Sequence, residues 1–262
     1  MSEQLRTPLV PAELEELLDE TTLEANERWQ RVRRDELLKT MPDPMETSFG
    51  AAVILKPKEE QTTPTTVVAL PQQQNWNPST YARVSYMQDV VVPGSQVVVL
   101  PNSPSGVRPL FENSARILES IGIEDEIYAT GHLMGGIAVL GLAGVMSDKF
   151  DVRLVNADEV PNRWRSSKDQ GMMETSFKDL LIEAGNRRSG IAIKLGYIVG
   201  SRLVDEELLL SQGYSARCNG SRVRIQPYTR DTTQRYGAVD KNVTNALMFK
   251  QALELLPLKP KS

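Results

Sequence analysis

Gly131-His132-Leu133-Met134-Gly135-Gly136 is the stretch on which the fold of this chain turns. It follows a strand-like run, Glu126-Ile127-Tyr128-Ala129-Thr130, and opens a small-residue, apolar run from Ile137 to Val145 that reads as a helix. Glycines at 131 and 135 bracket the change of direction. Without a Cβ, a glycine lets two backbones approach more closely than any other residue allows. The stretch therefore predicts a tight strand-to-helix junction centred on Leu133.

The same rhythm extends outward on both sides. Thr66-Val67-Val68-Ala69-Leu70, Gln96-Val97-Val98-Val99-Leu100 and Val152-Arg153-Leu154-Val155-Asn156 read as buried strands, and Ala51 to Leu55 as a shorter one. Between them, Ser79 to Val90 and Leu110 to Ile121 carry apolar residues at helical spacing. Strands that are apolar on both faces and alternate with helices predict a mainly parallel sheet with helices on both sides. Beyond Pro161 the rhythm weakens. Met172 to Ala184 and Val204 to Leu210 read as helices, Ile191 to Val199 as an apolar segment, Ser221 to Gln226 as a late strand and Val239 to Leu256 as a terminal helix.

Ahead of the core, residues 11–39 read as amphipathic helix, acidic at the start and basic at the end, which suits the helix dipole. Residues 40–49, with Pro42 and Pro44, read as a linker. The expected organisation is an N-terminal helical extension and linker over residues 1–45, then one α/β domain over 46–262. That domain would carry a lid or altered region at about residues 161–215.

The chain has 262 residues, 40% of them hydrophobic and 24% charged, with a formal net charge of −4. That balance gives no electrostatic case for nucleic acid or an anionic membrane. No apolar run approaches the roughly 20 residues that span a bilayer. Cys218 is the only cysteine, which excludes an internal disulfide framework and suits a reducing, cytoplasmic setting. His132 is the only histidine, so histidine-rich metal sites are excluded, and no metal or other cofactor is expected.

Taken in order, these parts resemble the α/β-hydrolase family over residues 65–160. Val67 to Leu70 is similar to the strand that ends at the family's oxyanion loop, here Pro71-Gln72-Gln73-Gln74-Asn75-Trp76. Gln96 to Gly106 is similar to its next strand and turn, although the aspartate of that pattern is replaced by Asn102 or absent. Gly131 to Gly136 is similar to the nucleophile elbow, G-x-S-x-G, in which the serine sits on a strained strand-to-helix turn. Leu154-Val155-Asn156-Ala157-Asp158 is similar to the strand after the elbow helix. The resemblance implies the fold and a site at the elbow.

The chemistry implied by the resemblance is missing by residue type. The family's triad comes in the order serine, acid, histidine. Leu133 stands at the serine position and has no lone pair with which to attack a carbonyl. No histidine follows His132, whose place before the nucleophile implies packing toward the neighbouring strand. No catalytic residue is therefore assigned. Gly131, His132, Leu133, Met134 and Gly135 form a degenerate elbow. Gln72, Gln73, Trp76, Asp158 and Asp231 are candidate pocket residues, since amides and an indole suit hydrogen-bonded recognition of a small ligand.

The expected function is a non-catalytic relative serving as a binding or assembly module. One alternative is a hydrolase or lyase using a non-standard site, in which Asp158, Asp231 or Tyr128 would supply acid/base chemistry. The other is a structural protein that joins a protein partner, or a second copy of itself, through residues 11–39.

Overall fold

The structure is a computed structural model and describes residues 33, 35–37, 39–57, 60–70, 76–101, 107–132, 134–144, 149–160, 163–165, 174–176, 192–198, 222–228, 249–250, 252–253 and 256. Ten strands fall within these residues: β1 (Met45–Thr47), β2 (Gly50–Leu55), β3 (Thr65–Ala69), β4 (Val97–Leu100), β5 (Asp125–His132), β6 (Phe150–Val160), β7 (Arg163–Arg165), β8 (Glu174–Ser176), β9 (Ala192–Ile198) and β10 (Arg222–Tyr228). Three complete helices accompany them: α1 (Pro78–Val90), α2 (Val107–Ser120) and α3 (Met134–Gly144). Residues 249–250 and 252–253 are also helical.

Eight strands form one sheet in the order β1-β2-β4-β3-β5-β6-β9-β10. β2 runs antiparallel to both β1 and β4. Every other neighbouring pair from β4 to β10 is parallel. This is the α/β architecture expected from alternating apolar strands and helices, and the late strands β9 and β10 complete it.

Side chains alternate between two apolar layers, as the pleat requires. In β4, Val98 and Leu100 join the layer under α2 and α3, while Val97 and Val99 join the layer under α1 and the 249–253 segment. β5 sends Ile127 and Ala129 to the first layer and Tyr128 to the second. A bulge shifts the β5–β6 register after Ile127, so Val152 and Val155 share a face although three residues apart.

Helix ends are set by local chemistry. Asn77 caps α1, its Oδ1 accepting from the Thr80 N–H at 3.0 Å, with Pro78 in the first turn. α2 ends at Gly122, whose φ of +74° only glycine adopts freely. There the Ile123 N–H donates to the Leu118 carbonyl at 3.0 Å and the Gly122 N–H to the Glu119 carbonyl at 3.1 Å.

Three expectations change. The 40–49 stretch is not all linker, because Met45–Thr47 pairs with β2. Strand β6 runs to Val160, so Asp158 lies within a strand instead of following one. Within the region expected as a lid or altered stretch, Arg163–Arg165 forms a strand. Its antiparallel partner Glu174–Ser176 falls inside the stretch expected as a helix from Met172 to Ala184. Short strands gain their stability from the partner strand and carry little periodicity of their own, so a weak apolar repeat at 172–184 outweighed them. The expected helix Val204 to Leu210 lies outside the described residues. No helix among the described residues is long and apolar enough to cross a membrane.

Candidate functional site

Strand β5 ends at His132 and helix α3 begins at Met134, so one residue, Leu133, makes the whole connection. Leu133 itself lies outside the described residues, and of Met134 only the backbone is described. The flanking glycines explain the tightness. A Cβ on Gly131 would collide with the Gly135 carbonyl group and come within 2.7 Å of the Gly136 nitrogen. A Cβ on Gly135 would collide with the Ala69 carbonyl oxygen and lie 2.9 Å from its carbon. Helix α3 thus starts directly against the C-terminal end of β3. The helix that follows is buried from Gly135 to Gly144, which is why it is apolar all round.

In a parallel sheet the strand C-termini share one edge, and ligands of open α/β sheets bind there. Leu133 follows β5 on that edge. Gln72, Gln73, Gln74 and Asn75 follow β3, and Asp231 follows β10. All five, with Asn102, Ser103 and Ser105 after β4, lie outside the described residues, as do Cys218 and the Asp205-Glu206-Glu207 cluster.

His132, the last residue of β5, is the register partner of Asp158, two residues short of the end of β6. His132 is half-buried, and Asp158 is described in its backbone alone. Two positions inward, on the same face, Thr130 pairs with Asn156; both are buried, and the Asn156 amide donates to the Thr130 hydroxyl at 3.0 Å. A hydrogen-bonded polar pair therefore underlies the histidine within the sheet. Sequence reasoning did not single out this pair. Its signal was present, since Asn156 interrupts the apolar run Leu154-Val155 in a strand that is buried on both sides.

Trp76 sits differently from a ligand-facing indole. Its N–H donates to the Pro42 carbonyl at 2.8 Å, and its ring meets Tyr81 at a centroid distance of 5.6 Å, tilted by 56°. Its one donor is used to hold the chain ahead of β1. Tyr128 lies four residues inward from His132, roughly 13 Å at strand rise. Burial raises its phenol above the ordinary 10.0, and the Glu126 carboxylate adds to the rise while Arg153 opposes it. It stays protonated at neutral pH and is a poor base. Arg153 is held more firmly protonated by its hydrogen bond to Glu126, at 2.7 Å, despite the opposing effect of partial burial.

No protein-family profile matches the chain, and no curated protein sequence is significantly similar to it. Solved structures are similar. An acylaminoacyl peptidase from Pyrococcus horikoshii superimposes with a TM-score of 0.54 at 13% identity, over 87% of this chain and 45% of that one. An S-formylglutathione hydrolase from Staphylococcus aureus gives 0.49 at 14% identity, over 78% and 97%. An inhibited esterase B from Lactobacillus rhamnosis gives 0.48 at 13% identity, over 92% and 96%. These neighbours are esterases and serine hydrolases of the α/β-hydrolase fold. At such identities the likeness concerns fold, and the fold of this chain is α/β-hydrolase-like.

Proposed function

We propose that this chain is a non-catalytic α/β-hydrolase-like protein, a binding or assembly module that keeps the elbow as a packing device. One observation carries the reading. The single-residue junction between β5 and α3 is Leu133, and the only histidine of the chain is the residue before it, on β5 itself. Acyl transfer by a triad needs a nucleophile, a base within hydrogen-bond reach and a group that orients the base. A leucine at the turn supplies no nucleophile, and no histidine follows β5 to serve from a later loop.

The glycines need no catalytic explanation, since backbone contacts with Ala69 and between Gly131 and Gly135 already require them. The pocket residues Gln72, Gln73, Asp158 and Asp231 then belong to a recognition surface along the C-terminal edge. Residues 11–39 are the segment offered to a protein partner or to a second copy.

Turnover of p-nitrophenyl acetate and butyrate tests the reading, on the native protein and on Leu133→Ser. Both are expected at the uncatalysed background, because a restored serine still has no base. Turnover well above background that a single substitution, Asp231→Asn or His132→Gln, abolishes would instead establish the hydrolase alternative with a non-standard site.

A further inference from the structure

The last strand of the sheet differs in pattern from those at its centre. β4 is apolar on both faces, whereas β10 reads Arg222-Val223-Arg224-Ile225-Gln226 and alternates strictly. Strict alternation marks a strand with one face in the core and the other outside it. The register tells the two faces apart. Val155 belongs to the layer under α2 and α3; its partner is Ile193, whose partner is Val223. Leu154 belongs to the layer under α1, and Asn156 shares its face. The partner of Asn156 is Lys194, whose partner is Arg224. Arg222, two residues earlier on β10, lies on that same face.

Three cations therefore occupy one face of two adjacent strands. Lys194 and Arg224 stand at the same register, and Arg222 lies roughly 7 Å along β10. Like charges directly across a strand pair repel. On β6 the same face holds Asp158 one step beyond Asn156, and Asp151 near the start of the strand, where Arg153 takes it at 3.0 Å. That leaves Asp158 beside the three cations. The sequence around these strands has the same bias: residues 187–235 carry nine arginines and lysines against four acids, in a chain whose net charge is −4.

The opposite bias lies in residues 7–27, which hold seven acids and no lysine or arginine. Glu13, Glu16, Glu20, Glu24 and Glu27 stand three or four residues apart, one stripe of the helix expected there. This segment leads into the domain on the matching side of the sheet, since Leu37 packs in the layer under α1 and Arg33 approaches Asp89. It falls short of the β10 of its own chain. Arg33 lines a cavity of about 290 Å³ with Leu55 of β2, and β2 is six strand steps from β10, roughly 29 Å at the spacing of strands. Along a helix Glu20 lies about 20 Å from Arg33. The face between is already packed by α1 and the 249–253 segment.

We propose that the acidic segment of one copy of this chain docks on the Lys194, Arg222 and Arg224 face of a second copy, and the reverse, so that two equivalent contacts close a dimer. The inference deepens the reading of residues 11–39 as an assembly segment and rests on it. Single exposed ion pairs are weak and screened by salt, so the contact is a network that loosens as ionic strength rises.

Light scattering of the full chain tests the proposal, together with two double variants. The native chain should show twice the monomer mass at about 0.05 M salt and shift toward monomer at about 0.5 M. Arg222→Glu with Arg224→Glu, and Glu16→Lys with Glu20→Lys, should each be monomeric at low salt, with unchanged circular dichroism. An equal mixture of the two should regain the dimer mass, because each variant then supplies the charge the other lacks. Should the reversal on β10 disturb folding, Arg222→Gln with Arg224→Gln takes its place and should weaken dimerisation about tenfold or more. A monomeric native chain overturns the proposal together with the assembly reading. A native dimer that the β10 substitutions leave intact overturns the proposal alone, and so does a mixture of the two monomeric variants that stays monomeric.

Discussion

Gly131, Gly135 and Gly122 are all glycine, for two different reasons, and substitution separates them. At Gly135 the obstacle is the Ala69 carbonyl, and at Gly131 it is the Gly135 carbonyl. Both are backbone atoms within the sheet and its covering helix and cannot swing aside. Gly135→Ala and Gly131→Ala should each cost about 3 kcal/mol or more, at the upper end for overpacking. Gly122 has nothing within 4 Å of a built Cβ, so its constraint is the φ of +74° alone. Gly122→Ala should cost about 1–2 kcal/mol, and Gly122→Asn less, since asparagine tolerates the left-handed region. Urea midpoints of the four variants check the ranking; a Gly135→Ala variant as stable as the parent would remove the packing explanation of the elbow. Tyr128 gives a second residue-scale test. Its phenol pKa is raised in the folded chain, so the unfolded chain releases its proton first as pH climbs past 10.0. The Tyr128 contribution is fully present below that pH and is lost as pH rises through the folded pKa. Tyr128→Phe should therefore flatten the fall in stability above pH 10, as read by urea unfolding at stepped alkaline pH.

Among the elements, α1 offers the sharpest test of how sequence sets a boundary. Its first turn has no acidic residue, so Asn77 stands alone against the exposed N–H groups there. Asn77→Ala should cost about 1 kcal/mol, whereas Asn77→Asp should keep the cap and add up to about 1 kcal/mol from the helix dipole. Thermal melts of the two variants should move in opposite directions. The elements that were legible in the sequence share one property: their apolar residues sit on both faces or on one stripe. Val97 to Leu100 and Val67 to Ala69 read as buried strands because burial on both faces leaves no room for polar residues. The tight strand-to-helix junction was legible because glycines four apart around a turn have few other uses. What was not legible depended on pairing with another strand or on contacts that carry no periodicity of their own. Strand β1 exists because Met45, Glu46 and Thr47 find β2, and β7 exists because Arg163 to Arg165 find β8. The site was less legible than the fold. The Trp76 indole read as a recognition group, but its donor is taken by Pro42, a contact that no local pattern announces.

For the whole molecule, the segment before β1 has one observed role and one proposed role. Its end is fastened to the domain. Leu37 is 9% exposed within the apolar layer that holds Tyr81, Val84 and Met87. The Tyr81 hydroxyl donates to the Thr40 carbonyl at 3.3 Å, the Trp76 N–H holds Pro42, and Arg33 approaches Asp89. Leu37→Ala should accordingly destabilise the domain by about 2 kcal/mol, at the low end for a buried leucine because the site borders solvent. The proposed second job, joining a partner or another copy through residues 11–39, rests on the part ahead of these contacts. Removing residues 1–32 leaves Leu37, Thr40 and Pro42 in place and so should change the melting temperature little. Removing residues 1–40 deletes the Leu37 contact as well and should lower it by several degrees. If the segment assembles copies of the chain, both deletions should reduce the solution mass measured by light scattering, although only the longer one loosens the fold. A parent protein that is already monomeric at working concentration, or a 1–32 deletion of unchanged mass, would confine the segment to its fastening role and move any partner surface to the C-terminal edge of the sheet.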